Sequence, residues 1–136
     1  MARVEPLAIQ IVTGDARSIS RQIVDALRMK IATGEILPGA QLPSVRGLAQ
    51  QLSVNPNTVA KAYSELTHEG WLESRQGLGL YVGVPRQRLS AEERERGLGE
   101  AVYRYINDAI ALGVPLDEAQ QRLAAEIDSI ERRKRA

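Results

Sequence analysis

Short polar side chains crowd the start of one predicted helix. Asn55 is followed by Pro56, Asn57 and Thr58, and Lys61 lies about one turn further along. An asparagine amide can form two hydrogen bonds with adenine, and a threonine can reach a base edge, a thymine methyl group or a phosphate. The unpaired amides at a helix start also favour a nearby phosphate. These residues could therefore contact nucleic acid, while Asn55 and Pro56 alone are also typical of an ordinary helix start.

Two other places carry side chains of similar chemistry. Arg46 lies in the first turn of another predicted helix, which Ser44 caps, and a cation there opposes the helix dipole. Binding a phosphate or a base would explain Arg46, and a solvated arginine is the alternative. Gln76 and Gly77 lie at the tip of a predicted hairpin, where glycine allows the main chain to approach a groove. An ordinary turn is the alternative for this pair.

The residues expected of an enzyme or a metal site are missing. The chain has no cysteine, which excludes disulfides, thiolate catalysis and Cys-ligated metals. Its single histidine, His68, has no partner cluster for a metal. No nucleophile and base, and no pair of carboxylates, are convincingly arranged for catalysis. We therefore expect neither an enzyme nor a bound cofactor.

The order of predicted elements is three helices followed by a hairpin. Apolar periodicity and capping residues predict helices over 19–33, over 45–52 and from Pro56 to before Gly70. Only Ser53 and Val54 separate the second helix from the Asn55 cap, which is the spacing of a helix-turn-helix. Two short β-runs around residues 76–79 predict the wing. Residues 1–84 are thus predicted to form a winged helix-turn-helix domain, with an edge strand or an arm within residues 1–17.

The C-terminal part is predicted to be a pair of helices. Residues 85–89 are interpreted as a linker and residues 90–136 as a helical dimerisation region, so the whole chain is mainly α with a small β wing. Two packed helices still leave one apolar side, which a second copy would cover. Packing against the winged domain is the alternative. The predicted dimer contacts are Leu98, Val102, Tyr105, Ile106, Ile110, Leu123 and Ile127.

Charge does not by itself identify a partner. The chain of 136 residues has a net charge of +1, with eight basic and seven acidic residues in 1–84 and ten of each in 85–136. Any DNA-binding face must therefore come from a local arrangement of charges. No signal pattern and no apolar run long enough for a membrane span occur, so we expect no membrane partner and a cytoplasmic protein.

The predicted winged domain resembles the GntR family of bacterial transcription regulators over about residues 8–84. The stretches that carry this resemblance are ILPG at 36–39, LPSVR at 42–46, VNPNTV at 54–59, AY at 62–63, EGWLESR at 69–75 and GLG at 77–79. The short helical tail is similar to that of the YtrA-like subfamily. The resemblance implies DNA contacts at Arg46, Asn57, Thr58, Gln76 and Gly77, with Ser44, Asn55 and Lys61 as further candidates.

The resemblance also implies a dimer on palindromic double-stranded DNA, often regulating its own operon together with an ABC transporter. The chain departs from the family pattern in two places. Gly47 stands where glutamate is usual, which should weaken its helix by roughly 0.5–1 kcal/mol. Gln76, Leu78 and Leu80 occupy wing positions that are often basic or threonine, so we expect a weaker grip of the wing on phosphate.

The leading hypothesis is a dimeric transcription repressor. A winged-helix module that binds protein instead of DNA is the second hypothesis, favoured by the low net charge. The third is a regulator that responds to an unknown small-molecule effector held between the tail and the winged domain. No convergent set of polar residues in the sequence supports such a pocket.

Overall fold

The computed structural model describes residues 7–84 and 89–135, and it separates into two compact units divided at residues 86 and 87. Nearly all of the predicted linker at 85–89 lies outside the described residues. The N-terminal unit contains three helices and a hairpin, in the predicted order. Their bounds are α1 Ile19–Ala32, α2 Val45–Leu52, α3 Pro56–His68, β1 Leu72–Arg75 and β2 Gly79–Val82.

Capping side chains set the starts of the three helices. Ser18, Ser44 and Asn55 have extended backbones, and the side-chain oxygen of each accepts a hydrogen bond from a backbone N–H of the first turn. Pro56 follows as the first residue of α3, where its missing N–H has no helical partner to lose. The predicted helices are therefore confirmed, with starts that agree to the residue.

One apolar core holds the helices and the hairpin together. Full burial of an aliphatic side chain of this size contributes about 1.5–3 kcal/mol, so this cluster is the main source of stability in the unit. It draws on every element of the unit and on the residues before α1. Its largest fully buried side chains are Leu7, Ile23, Val24, Leu27, Leu48, Val59, Leu66 and Val82.

Residues 7–12 form an arm, and the alternative of an edge strand is wrong for them. Leu7 is buried in the core, and its carbonyl accepts a hydrogen bond from the Gln51 side chain. Gln22 is also buried. Its Oε1 accepts from the Val12 N–H at 2.9 Å, and its Nε2 donates to the Val12 carbonyl at 3.3 Å. Side-chain amides therefore replace the backbone pairing that a strand would use.

The hairpin is a two-stranded antiparallel sheet of β1 and β2. The segment before α2, residues 40–42, runs along β2. Leu72 pairs with Val82 and Arg75 with Gly79. The Leu42 N–H donates to the Leu80 carbonyl at 2.9 Å, and the Val82 N–H donates to the Ala40 carbonyl at 2.8 Å. The wing is therefore fastened to the same stretch of chain that leads into α2.

The C-terminal unit consists of two long helices, α4 (Ala91–Ala111) and α5 (Leu116–Arg135). Ser90 and Glu93 form a capping box at the start of α4, and the helix is continuous through Gly97 and Gly99. Gly113, with φ of +73°, ends the helix in a left-handed conformation that suits glycine.

The two helices of this unit bury very little between them. Ala109 and Ala119 are its only buried residues within the described 89–135, and the Tyr105 hydroxyl donates to the Ala119 carbonyl at 2.7 Å. All of the predicted dimer contacts are exposed in the single chain. Their side chains are Leu98, Val102, Tyr105, Ile106, Ile110, Leu123 and Ile127.

Candidate nucleic-acid interface

The two asparagines at the start of α3 have different roles, because Asn55 caps the helix and the Asn57 side chain has no partner among the described residues. The Asn55 Oδ1 accepts a hydrogen bond from the Asn57 N–H at 2.8 Å, so the Asn55 oxygen caps the helix while its amide N–H groups remain available. The side chains of Asn57, Thr58 and Lys61 make no hydrogen bond or ion pair to any described residue. Asn57 and Lys61 are exposed, and Thr58 is half-buried. The fold thus leaves three polar groups at this helix start with unused hydrogen-bonding capacity.

The start of α2 has the same division of roles. The Ser44 Oγ accepts from the Gly47 N–H at 2.9 Å, which leaves its hydroxyl proton to donate elsewhere. Gly47 has no side chain that could accept the second hydrogen bond of a capping box from the Ser44 N–H. Arg46 is exposed, and its guanidinium forms no ion pair within the described part of the chain.

The two helices meet at a tight turn whose backbone the sequence did not predict. Ser53 has φ of +57° and ψ of +47°, the left-handed conformation more usual for glycine or asparagine. The Val54 N–H donates to the Ala49 carbonyl at 3.0 Å and closes the end of α2. This reversal allows α3 to begin at Pro56, only three residues after Ser53.

A defined turn forms the wing tip. The Leu78 N–H donates to the Arg75 carbonyl at 2.9 Å, with Gln76 and Gly77 exposed between them. Gly77 has φ of +74°, which the third residue of this turn requires. The wing-tip main chain is therefore as accessible as the sequence predicted.

The wing also contains a basic residue that the sequence reasoning missed. The Arg75 guanidinium lies over the ring of Tyr81, 4.1 Å from its centroid. Arg75 on β1 pairs with Gly79 on β2, and Tyr81 lies two residues after Gly79 on β2. The side chains of Arg75 and Tyr81 therefore share a face of the sheet. The strand register was the signal that could have identified this contact.

Ion pairs remove most of the other cations from consideration. Arg17, Arg21 and Arg28 surround Asp25 at 2.9, 3.8 and 3.5 Å. Arg21 also reaches Glu65 at 2.9 Å. The remaining pairs within residues 7–84 are Arg17 with Asp15, Arg28 with Glu69, and Lys30 with Glu35.

These ion pairs determine which cations remain available to a partner, which the composition could not show. The hydrogen bond from the Arg17 side chain lowers the pKa of Asp15, so that carboxylate stays ionised beside its arginine. Within residues 7–84, the basic residues without a carboxylate partner are Arg46, Lys61 and Arg75. They lie on α2, α3 and β1, the elements of the helix-turn-helix and the wing. A small net charge is thus compatible with a basic DNA-binding surface.

Known proteins match both the sequence and the fold. The profile described as "Bacterial regulatory proteins, gntR family" matches residues 19–82. The repressor YtrA of Bacillus subtilis is 35% identical over 113 residues, which covers 83% of this chain and 87% of that protein. The chain belongs to the GntR family. GntR members are DNA-binding transcription regulators, and this chain is one of them rather than an enzyme.

Two solved structures are similar to this chain over most of its length. A transcriptional antiterminator from Listeria monocytogenes has a TM-score of 0.75 and 29% identity, covering 91% of this chain and 92% of its own. YtrA from Sulfolobus acidocaldarius, a GntR-family transcription factor, has a TM-score of 0.58 and 35% identity, covering 73% and 97%. The predicted winged helix-turn-helix and the YtrA-like assignment are therefore confirmed. The individual DNA contacts and dimer contacts stay predictions.

The described residues contain neither a membrane-spanning helix nor a cluster of metal ligands. No helix within residues 7–84 and 89–135 combines the length and apolar character that a membrane crossing requires. In that part of the chain, no group of three or more His, Asp or Glu side chains is placed to hold a metal ion.

Proposed function

We propose that the chain is a dimeric repressor that binds a palindromic operator upstream of its own operon. The observation that carries this proposal is the start of α3, where Asn57, Thr58 and Lys61 project from a helix-turn-helix without partners in the described chain. The repressor YtrA, which matches most of this chain, supports the direction of regulation.

The proposed DNA contacts follow from what each side chain has left to offer. Asn57 and Thr58 read base edges in the major groove, because amide and hydroxyl groups match its pattern of donors and acceptors. Arg46 and Lys61 hold phosphates, since both are exposed cations without a carboxylate partner in residues 7–84. Further contacts come from the Ser44 hydroxyl, the Asn55 amide and the main chain at Gln76 and Gly77.

The proposed dimer rests on the exposed apolar surface of the C-terminal unit. Leu98 is 63% exposed, Ile110 is 59% exposed and Ile127 is 51% exposed, although all three lie on the predicted interface. A helix pair that buries only two alanines within the described residues 89–135 has no core of its own to stabilise it. Burying each such aliphatic side chain against a second copy would contribute about 1.5–3 kcal/mol. The resulting two-fold axis would place two α3 helices on half-sites about 34 Å apart, which matches a palindrome.

The biological setting is proposed from the family resemblance. In the YtrA-like subfamily the regulated operon often includes an ABC transporter, and we propose the same arrangement in the cytoplasm here. A regulator that responds to an unknown small-molecule effector is the remaining alternative. Thermal shift with candidate metabolites and antibiotics tests for one, and no shift with any compound would count against it.

Fluorescence anisotropy on the DNA upstream of its own gene tests the proposed function. We expect tight binding that weakens steeply between about 50 and 200 mM salt, because each neutralised phosphate releases counterions. A scrambled duplex of the same length is the control for specificity. A response that does not change with salt, or no preference for the upstream DNA, would instead favour a module that binds protein. Footprinting would then locate the two half-sites.

A further inference from the structure

The outer face of the wing carries a cluster of side chains that no DNA contact proposed above uses. Tyr81 pairs with Glu73 on β1 and with Gln41 on the segment before α2, so the three side chains share one face. Arg75 and Gly79 form the next pair along this face. Tyr81 is only 6% exposed although it faces outward, and Arg75 lies over its ring.

Hydrogen bonds fix the backbone of the wing tip beneath this cluster. The Gln41 Nε2 donates to the Leu78 carbonyl at 2.9 Å, and the Tyr81 hydroxyl reaches the same carbonyl at 3.4 Å. A Cβ at residue 79 would lie 3.1 Å from the Gln41 Nε2, so Gly79 leaves the space that the amide occupies. The tip is thus held from both its own strand and the segment leading to α2.

The Arg75 guanidinium itself has unused capacity for hydrogen bonds. Its five N–H donors find no acceptor among the described residues. Glu73, on the same face, forms no ion pair with it within residues 7–84. Contact with the Tyr81 ring favours a position of the guanidinium beside the wing tip, which reduces the entropy that a phosphate contact would otherwise lose. A flat cation held at the edge of the wing tip is suited to a phosphate beside the groove that the wing approaches.

We propose that Arg75 is the phosphate contact of the wing, and that Tyr81 is the residue that positions it. The wing therefore keeps a cationic grip on DNA despite the neutral residues at Gln76, Leu78 and Leu80. This inference rests on the proposed binding of DNA by this domain, and it assigns the contact to the backbone rather than to a base.

The test compares the salt dependence of operator binding for Arg75→Gln and the unaltered protein. We expect Arg75→Gln to weaken binding roughly tenfold on every sequence tested. We also expect the slope of log K against log salt to become shallower by about 0.9 for each protomer, because one phosphate contact is lost. Arg75→Lys retains the charge, so its slope should remain close to that of the unaltered protein.

Arg28→Gln is the matched control. Arg28 is a cation of the same unit, but Asp25 and Glu69 already neutralise it, so its removal should leave the salt slope unchanged. Arg75 is exposed and its contact with the Tyr81 ring is the interaction that Arg75→Gln removes, so thermal unfolding of this variant should fall only slightly below that of the unaltered protein. A slope unaffected by Arg75→Gln overturns the assignment, and so does a loss confined to one base pair. Absence of operator binding by the unaltered protein would instead reject the proposed function.

Positioning by Tyr81 is tested by a double-mutant cycle. If Tyr81 acts through Arg75, Arg75→Gln should weaken operator binding less in a Tyr81→Leu background than in the unaltered protein. Tyr81→Phe keeps the ring, so in this background Arg75→Gln should weaken operator binding nearly as much as it does in the unaltered protein. Independent effects of the two substitutions would reject the positioning role, and circular dichroism would confirm that each variant is folded.

Discussion

The hydroxyl of Tyr63 donates a 2.9 Å hydrogen bond to the carbonyl of Pro43. Tyr63 is buried on the inner face of α3, and Pro43 immediately precedes the cap of α2. This single bond therefore joins the two helices of the helix-turn-helix at the place where α2 begins. Arg46 on α2 and Asn57 on α3 owe part of their relative placement to it.

Replacing Tyr63 by phenylalanine should destabilise the N-terminal unit. The change removes the hydroxyl and leaves the Pro43 carbonyl without this partner, and a hydrogen bond of this kind contributes about 0.5–1.5 kcal/mol. Urea unfolding measures the change in free energy. Tyr103→Phe is the control, because the Tyr103 side chain is exposed on α4. An equal midpoint for Tyr63→Phe and the unaltered protein would show that the bond adds nothing to stability.

The same tyrosine should make stability depend on alkaline pH. Burial raises the pKa of Tyr63 in the folded protein above its ordinary value. Its contribution to stability is therefore complete below the unfolded pKa of about 10, and it is lost as pH rises from there toward the higher folded pKa. Urea midpoints at about pH 8 and about pH 11 should fall further apart for the unaltered protein than for Tyr63→Phe. A parallel decline in both proteins would contradict this assignment.

The two asparagines at the start of α3 should respond differently to replacement by alanine. Asn57→Ala should relax base preference and cost about 1–3 kcal/mol on the operator, with unfolding nearly unchanged. Asn55→Ala should lower the free energy of unfolding by about 0.5–2 kcal/mol, because it removes the helix cap. Anisotropy on a set of single-base operator variants and thermal melts separate the effects. Equal weakening by Asn57→Ala on all sequences would reassign Asn57 to phosphate.

Ile106→Asp should dissociate the proposed dimer. Ile106 lies on the exposed apolar stripe of α4, and a carboxylate buried there without a partner is strongly unfavourable. Light scattering should report the mass of a monomer. Operator affinity should fall, because a monomer binds one half-site where the dimer binds two. Asn107→Asp introduces the same residue at the next exposed position and should remain dimeric. A dimer that persists in Ile106→Asp would place the interface elsewhere.

Local sequence signals predicted the elements well but the site only in part. Serine, asparagine and proline at helix starts have local effects, so Ser44 and Asn55 could be assigned from the sequence alone. Ser53 could not, because a left-handed serine has no distinctive pattern. Gln41 bonds to a residue 37 positions away, and Arg75 requires the strand register. Contacts of this kind depend on tertiary packing rather than on local spacing.

The ion pairs could not be predicted from the sequence either. The composition of residues 1–84 is almost balanced, and the sequence could not say which cations are neutralised. Arg21 pairs with Glu65 over 44 positions, and Arg28 pairs with Glu69 over 41. Only the packing of α1 against α3 creates these pairs. The number of basic residues therefore overstates the charge available to a partner.

The neutralised arginines of α1 bear on how this regulator would search a chromosome. Non-specific attachment to DNA depends almost entirely on phosphate neutralisation, so the few cations left available within residues 7–84 mean brief visits of this domain to random sites. A genome offers about a million or more such competing sites, and each one sequesters less of a protein that holds it weakly. We expect a small number of molecules per cell to keep an operator occupied, because few are lost to the rest of the chromosome.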